Sequence, residues 1–285
     1  MEQINGTTKV YMILGQPIAH TLSPAMYNAA FTALGYNGVY VACAVPENGL
    51  AEAVQGIRAL GIRGGNVTIP FKEKIIPYLD GITPEAKLIG AVNTFYWEQD
   101  KLIGTNTDGA GFLTALQKVE PDALKLPGAV ILGAGGAARA VAVALALSGL
   151  KEIYIVNRDK GRAANLVETL TALGCFAQVL DWESPSLAEI ISRIPLLINT
   201  TPLGMAPFYQ GLPPLDYNLL SSRHLVADLI YKPAETLLLQ KARAQGARIM
   251  NGLGMLLEQG VLSFRLWSGQ EAPTTVMEKE LGRWL

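Results

Sequence analysis

Ten residues, 129–138, constrain this chain more than any others. Ala129, Val130, Ile131 and Leu132 form a short apolar run suited to a buried strand. Gly133-Ala134-Gly135-Gly136-Ala137-Ala138 follows, and an Ala-, Val- and Leu-rich stretch continues to 147. The pattern is strand, G-x-G-x-x-A turn, helix. Gly133 permits the tight turn, Gly135 lets backbone approach a pyrophosphate, and Ala138 is small enough for helix and sheet to pack closely. The start of the helix then offers free N–H groups and the positive end of its dipole to phosphate oxygens. Small-residue turns also arise from packing alone, but the place of this one between strand and helix favours dinucleotide binding.

The rest of the chain repeats the same alternation. Strands are expected at 10–14, 39–45, 64–68, 92–97 and 102–104, the last two as a pair. Helices are expected at 24–34 and 46–60, and a short one carries Lys72. Ser23 should cap the first helix, with Pro24 at its first position and Gly35 beyond its end. A second series gives strands at 129–132, 152–156, 196–199 and 225–230, with helices at 136–147 and 162–173. Residues 118–127, with two prolines, read as a surface connection between the series. The fold class is therefore α/β, with two domains. Periodicity leaves open whether the helical stretch after Gly252 ends the second domain or returns to the first.

Composition narrows the function. Half of the 285 residues are apolar, ample for two cores, and 23 basic against 24 acidic side chains leave a formal charge of −1. That balance gives no footprint for nucleic acid or an anionic membrane. Cys43 and Cys175 lie far apart, which fits a reducing compartment, and only His20 and His224 could join them, so no metal site is expected. His224 is expected to be solvated. The longest clean apolar run, 140–147, falls far short of the roughly 20 residues needed to cross a bilayer, and the polar start carries no apolar export segment. The expectation is a cytoplasmic chain acting on a small molecule.

Which dinucleotide binds depends on the end of the second strand of the second series. NAD enzymes usually place a carboxylate there, on the ribose 2′-hydroxyl. Here Asn157 closes the strand, and Arg158 and Arg162 follow. Arginine suits a 2′-phosphate because its planar fork binds oxygens in pairs. NADP is therefore expected and NAD is less favoured, although Asp159 could take a ribose hydroxyl, and both arginines could be solvated surface charges.

Several polar residues of the first half sit at strand ends: Thr21, Ser23, Thr68, Lys72, Asn93 and Asp108. Singly, each has a dull explanation as a cap, a turn residue or a solvated lysine. Together they lie in motifs that resemble the shikimate dehydrogenase family. These are G-x-P-I-x-H-[ST]-x-S-P from Gly15, N-V-T-x-P-F-K-E from Asn66, G-A-V-N-T from Gly90, N-T-D from Asn106, and G-A-G-G-A-A-R-A from Gly133. N-R at Asn157, D-L-I-Y-x-P from Asp228 and N-G-L-G-M-L-x-x-Q from Asn251 complete the set. Eight motifs in the family's order over nearly the whole chain exclude coincidence.

The resemblance implies reversible, NADPH-dependent reduction of 3-dehydroshikimate to shikimate, a step toward chorismate and the aromatic amino acids. It implies a substrate-binding catalytic domain of residues 1–109 plus 253–285, a Rossmann-type NADP-binding domain of 110–252, and a cleft between them. Lys72 and Asp108 then look like the catalytic pair. Thr21, Ser23, Thr68, Asn93 and Gln259 look like substrate ligands, with Tyr231 lining the site. Gly133, Gly135, Gly136, Ala137, Asn157, Arg158 and Arg162 look like dinucleotide ligands, and Thr200, Leu229, Gly252 and Met255 like neighbours of the nicotinamide. A homodimer and a monomer are both left open.

The chemistry accounts for these residue types. Hydride arriving at a ketone carbon leaves an alkoxide that needs a proton, which Lys72 can supply while Asp108 orients it and binds the adjacent hydroxyl. Thr21 and Ser23 hydroxyls suit a carboxylate, and Asn93 and Gln259 offer both donors and acceptors to ring hydroxyls. Thr21 departs from the family's usual serine. Its extra methyl stiffens the side chain and leaves quinate open as a substrate. The rival readings are an NAD-dependent quinate/shikimate dehydrogenase, a catalytically dead ligand sensor, and a folate-type dehydrogenase. The presence of both Lys72 and Asp108 argues against the second, and the order of motifs against the third.

Overall fold

The computed structural model describes residues 4–205 and 209–284. The chain divides into two compact units, one running to Thr107 and including Leu257–Trp284, the other Asp108–Leu256.

The first unit begins β1 (Lys9–Gly15), α1 (Ser23–Ala33), β2 (Gly38–Ala44), α2 (Leu50–Ala59) and β3 (Gly64–Val67). It continues β4 (Gly81–Ile82), α3 (Pro84–Ile89), β5 (Thr94–Glu98) and β6 (Lys101–Thr105). The sheet order is β2-β1-β3-β5-β6-β4. β1 is parallel to β2 and β3, whereas β5 is antiparallel to both β3 and β6. The carboxyl ends of β1, β3 and β6 and the start of β5 therefore share one edge of the sheet. Leu14, Val54, Ile57, Val67, Phe71, Ile75, Phe95 and Leu102 make up much of the core beside it. Each such side chain contributes roughly 1.5–3 kcal/mol on full burial.

Two local expectations are corrected here. Ser23 does not cap α1, because the N-cap position is Leu22, which makes no side-chain cap. Ser23 is instead inside the first turn, where its N–H donates to Thr21 Oγ1 at 3.3 Å. Lys72 is not on a helix. Residues 68–75 form turns, with Phe71 N–H donating to the Thr68 carbonyl and Ile75 N–H to that of Phe71, before a 3₁₀ turn at Ile76–Tyr78. Pro70 and Pro77 each remove a helical donor and disfavour helix in the residue before them. At the far end of α1, Gly35 takes φ +59°, as expected for the residue that ends a helix.

The second unit opens with α4 (Asp108–Val119), then β7 (Gly128–Leu132), α5 (Gly136–Leu147), β8 (Glu152–Val156), α6 (Lys160–Ala172) and β9 (Phe176–Leu180). It goes on through α7 (Pro185–Arg193), β10 (Leu196–Asn199), β11 (Leu225–Asp228), α8 (Leu237–Ala244) and β12 (Arg248–Met250). Its six strands are all parallel, in the order β12-β11-β10-β7-β8-β9. This is the doubly wound arrangement, and the order reverses beside β7, where ligands of such sheets bind. The stretch read as a surface connection lies inside this unit, as the end of α4 and a 3₁₀ turn at Ala123–Lys125.

His224 is a further correction. It is fully buried, not solvated. Its Nδ1 accepts the Ser221 N–H at 3.0 Å, so Nε2 must carry the proton and donates to the Ile191 carbonyl at 2.9 Å. The chain then enters α9 (Leu253–Ser268), and the boundary between the units crosses that helix at Leu256. From Leu257 the chain belongs to the first unit again, where α10 (Thr274–Gly282) packs on α1.

Candidate functional site

The shared edge of the first sheet collects the polar residues singled out in the sequence. The loop after β1 carries Thr21 and Ser23, whose hydroxyls are linked at 3.2 Å. The loop after β3 carries Thr68 and Lys72. The two loops are stitched together: Thr68 N–H donates to the Leu14 carbonyl at 2.9 Å, and Gln16 N–H to that of Ile69 at 3.0 Å. Gly15 is needed at this join, since a Cβ there would stand 2.5 Å from Thr68 Cγ2. The Lys72 carbonyl accepts the Val92 N–H at 2.7 Å, which fixes the lysine backbone beside the strand that starts at Thr94.

Asn93 is almost wholly buried and anchors a polar network. Its Oδ1 accepts the Thr107 N–H at 2.8 Å, and its Nδ2 donates to Thr107 Oγ1 at 2.9 Å. Gln259 Oε1 lies 3.4 Å from Asn93 Nδ2 and 3.5 Å from Thr107 Oγ1. Behind them Ser263 Oγ, one turn of α9 from Gln259, meets Thr94 Oγ1 at 2.8 Å and Thr107 Oγ1 at 3.2 Å. Asn66 Nδ2 donates to Thr94 Oγ1 at 3.0 Å, and Tyr40 OH donates to Asn66 Oδ1 at 2.7 Å. So Asn93 and Gln259 are brought together, and their orientation is fixed by residues not singled out as site candidates in the sequence: Tyr40, Asn66, Thr94, Thr107 and Ser263. Fully satisfied buried networks of this kind hold one arrangement. Asp108 follows Thr107 directly and is buried as the first residue of α4 in the second unit.

In the second unit the dinucleotide candidates line the carboxyl ends of the strands. The turn after β7 has Gly133 at φ +114°, and a side chain there would collide with Thr200 Oγ1. Thr200, after β10, is tied to the same turn by donating from Oγ1 to the Leu132 carbonyl at 2.7 Å. Gly133 and Thr200 thus face each other at the reversal of strand order. Gly135 caps α5, and nothing lies within 4 Å of where its Cβ would be. The open space over Gly135, at a helix N-terminus, fits a pyrophosphate; Ala138 is fully buried against the sheet. Gly136 and Ala137 form the first turn of α5.

After β8, Asn157 Nδ2 donates to the Asp159 carbonyl at 2.8 Å. Asp159 caps α6: its Oδ1 accepts the Arg162 N–H at 3.0 Å, and its Oδ2 lies 3.9 Å from Arg162 Nε. The aspartate that left the choice of dinucleotide open therefore has a structural task. Arg158 is exposed beside it. After β11, Leu229 N–H donates to the Asn199 carbonyl at 3.0 Å, and Gly252 N–H to the Ile230 carbonyl at 3.0 Å. Gly252 approaches Leu229 so closely that no side chain could stand there. Tyr231 is half-buried, and Met255 is buried on α9.

Three family models match the chain. A shikimate dehydrogenase substrate binding domain covers residues 13–95, shikimate / quinate 5-dehydrogenase covers 114–201, and a shikimate 5'-dehydrogenase C-terminal domain covers 252–281. The NADP(+) shikimate dehydrogenase of Desulforamulus reducens is 45% identical over 98% of this chain and 96% of its own length. The chain belongs to the shikimate dehydrogenase family.

Solved members of the shikimate dehydrogenase family share the whole fold. The Listeria monocytogenes enzyme, in complex with shikimate and NAD, superposes with a TM-score of 0.91 at 39% identity over 99% of both chains. The Thermus thermophilus enzyme, in complex with NADP(H) and shikimate, gives 0.85 at 39% identity over 98% of this chain and 100% of its own. The sequence signal that could have exposed Ser263 is its spacing from Gln259, which puts both on one face of α9.

Proposed function

We propose that this chain is an NADP-dependent shikimate dehydrogenase, catalysing the reversible reduction of 3-dehydroshikimate to shikimate. The observation that carries the reading is the pair of strand-end clusters. One unit sets hydroxyl and amide groups, and the loop that carries Lys72, at one edge of its sheet, as suits a polyhydroxy acid, and the other presents a glycine cradle suited to a pyrophosphate. NADP, once bound, supplies or accepts the hydride. The roles of individual residues form part of the proposal.

Thr21 and Ser23 hold the substrate carboxylate through hydroxyl donors, and Thr68, Asn93 and Gln259 take the ring hydroxyls. Lys72 gives a proton to the oxygen that becomes negative when the ketone carbon is reduced, and recovers it in the reverse direction. Asp108 accepts a hydrogen bond from the neighbouring substrate hydroxyl. Its backbone position is fixed by the Thr107–Asn93 pair one residue earlier. Tyr231 is proposed to line the substrate site. Residues 1–109 with 253–285 are taken as the substrate domain and 110–252 as the dinucleotide domain.

Gly133, Gly135, Gly136 and Ala137 receive the pyrophosphate, and Asn157, Arg158 and Arg162 the adenosine end. Arg158 reads the 2′-phosphate with its exposed guanidinium, beside an Asp159 that caps α6 through one oxygen. Thr200, Leu229, Gly252 and Met255 border the nicotinamide. Both cysteines are free thiols, in keeping with work in the cytoplasm, and among the described residues no helix is long and apolar enough to cross a membrane.

The test is an absorbance assay at the nicotinamide band, with shikimate and quinate each offered NADP and NAD. Shikimate with NADP should give the highest kcat/KM. A clear preference for NAD, or for quinate, would overturn the assignment.

A further inference from the structure

Asp228 is a buried carboxylate to which the proposed chemistry assigns no role. It closes β11, is 1% exposed, and receives three donors. Asn199 Nδ2 donates to Oδ1 at 3.0 Å, Ile230 N–H to the same oxygen at 3.1 Å, and Thr236 Oγ1 to Oδ2 at 2.7 Å. Each donor comes from a different segment. Asn199 ends β10, and its Oδ1 in turn accepts from Thr201 N–H and Oγ1 at 3.0 and 2.7 Å. Ile230 lies between Leu229 and Tyr231. Thr236 caps α8. Burying a carboxylate is costly and is tolerated only where donors surround it. A plain helix cap or turn would need no such group, and a neutral side chain could fill the space.

What these donors share is the loops they belong to. The turn at 199–201 carries Thr200, which faces Gly133 at the dinucleotide turn. The turn at 228–231 carries Leu229 and Tyr231, and is pressed against Gly252. One carboxylate thus sets two strand-end loops against each other.

We propose that Asp228 is a positioning residue for the nicotinamide end of the cofactor, holding the loops of Thr200 and of Leu229–Tyr231 in the arrangement that receives it. This rests on the dinucleotide reading of the second unit given above. The residue touches neither cofactor nor substrate, and acts through Asn199, Ile230 and Thr236. A displacement of these loops by a fraction of an ångström spoils the alignment for hydride transfer.

The experiment compares Asp228→Ala, Asp228→Asn, Thr236→Val and Thr236→Ser with the wild-type enzyme. The readouts are thermal stability, NADP dissociation constant, and kcat and KM for each substrate. Asp228→Ala and Thr236→Val should lower kcat and raise KM for NADP, together reducing kcat/KM by roughly tenfold or more, with KM for shikimate changed less. Asp228→Asn and Thr236→Ser should restore kcat/KM to within about threefold, because the amide can accept from Asn199 and Ile230 and donate to Thr236. If Asp228→Ala does not fold, Thr236→Val breaks one arm of the same cluster and gives the same reading. Lower melting temperatures with unchanged kcat and NADP affinity in the folded variants would overturn the proposal, leaving Asp228 a structural residue. A wild-type enzyme that neither binds NADP nor oxidises shikimate would instead defeat the underlying assignment.

Discussion

Asn93 and Thr107 clasp each other twice, with Thr107 N–H donating to Asn93 Oδ1 at 2.8 Å and Asn93 Nδ2 donating to Thr107 Oγ1 at 2.9 Å. The pair joins the strand that begins at Thr94 to the residue just before Asp108. It sets the orientation of an amide proposed to bind substrate and anchors the backbone next to a carboxylate proposed to act on it. Thr107→Val keeps the shape but removes the hydroxyl, leaving a buried amide hydrogen without its partner. Stability should fall by about 1–3 kcal/mol in urea unfolding. The kcat/KM for shikimate should drop roughly tenfold, and Thr107→Ser should recover most of both.

Gly135 separates binding from folding. Its backbone is at φ −83°, which any residue adopts, and the direction of its missing Cβ is open. Gly135→Ala should leave stability within about 0.5 kcal/mol of wild type, while raising KM for NADP about tenfold or more through the occupied cradle. Calorimetric melting and steady-state kinetics on the same sample check both halves. Unchanged NADP kinetics would remove the cradle from the site.

Lys72→Ala should lower kcat roughly 10²-fold or more, the usual scale for a general acid–base group. Shikimate should still bind, as measured by titration calorimetry, because the hydroxyls and amides around it remain. Near-normal turnover would take Lys72 out of the mechanism.

Arg158→Ala should weaken NADP by roughly tenfold to a hundredfold, the scale of one or two charged hydrogen bonds, and NAD by much less. Dissociation constants for both cofactors decide it. Asp159→Ala should behave differently, costing about 1 kcal/mol of stability as a lost helix cap. Equal weakening of the two cofactors by Arg158→Ala would mean that this guanidinium does not read the 2′-phosphate.

Burial pushes the Asp228 carboxyl up to about 6, against the opposing pull of its hydrogen-bond donors. The folded protein therefore holds this proton to a higher pH than the unfolded chain does. Stability from this group falls as pH rises from about 4 to about 6, and the cost is complete above that, on the order of 3 kcal/mol at most. Exposed carboxylates such as Asp80 and Asp181, lowered by their bonds to Arg58 and Lys160, act in the opposite direction. The difference between Asp228→Asn and wild type isolates the group. The variant should gain relative stability in urea unfolding between pH 4 and 6 and keep that gain at pH 7 to 8. A flat difference across that range would contradict the shift.

Much of the second unit was legible because its punctuation is local. α5, β8 and β10 run between the same residues that the sequence pattern marks, since a glycine turn or a short β-branched run defines each. β9, α7 and α8 were not marked. Phe176–Leu180 alternates weakly at a sheet edge, and α7 and α8 follow turns whose signals are short. In the first unit Lys72 is legible as a candidate, but the short helix expected to carry it is a series of turns, because Pro70 and Pro77 each remove a helical donor.

The amino-acid sequence by itself determined the class of fold, the glycine turn, the two arginines after β8 and the set of side chains able to do the chemistry. Those depend on neighbours within a few positions, where sterics and hydrogen-bond geometry act directly. Only the tertiary structure decided that Ser263 would meet Thr94 across 169 positions, that His224 would be buried with a fixed tautomer, and that Asp228 would gather three segments. Such contacts arise where separate strand ends meet, and each costs burial of a polar group that only the assembled partners can satisfy.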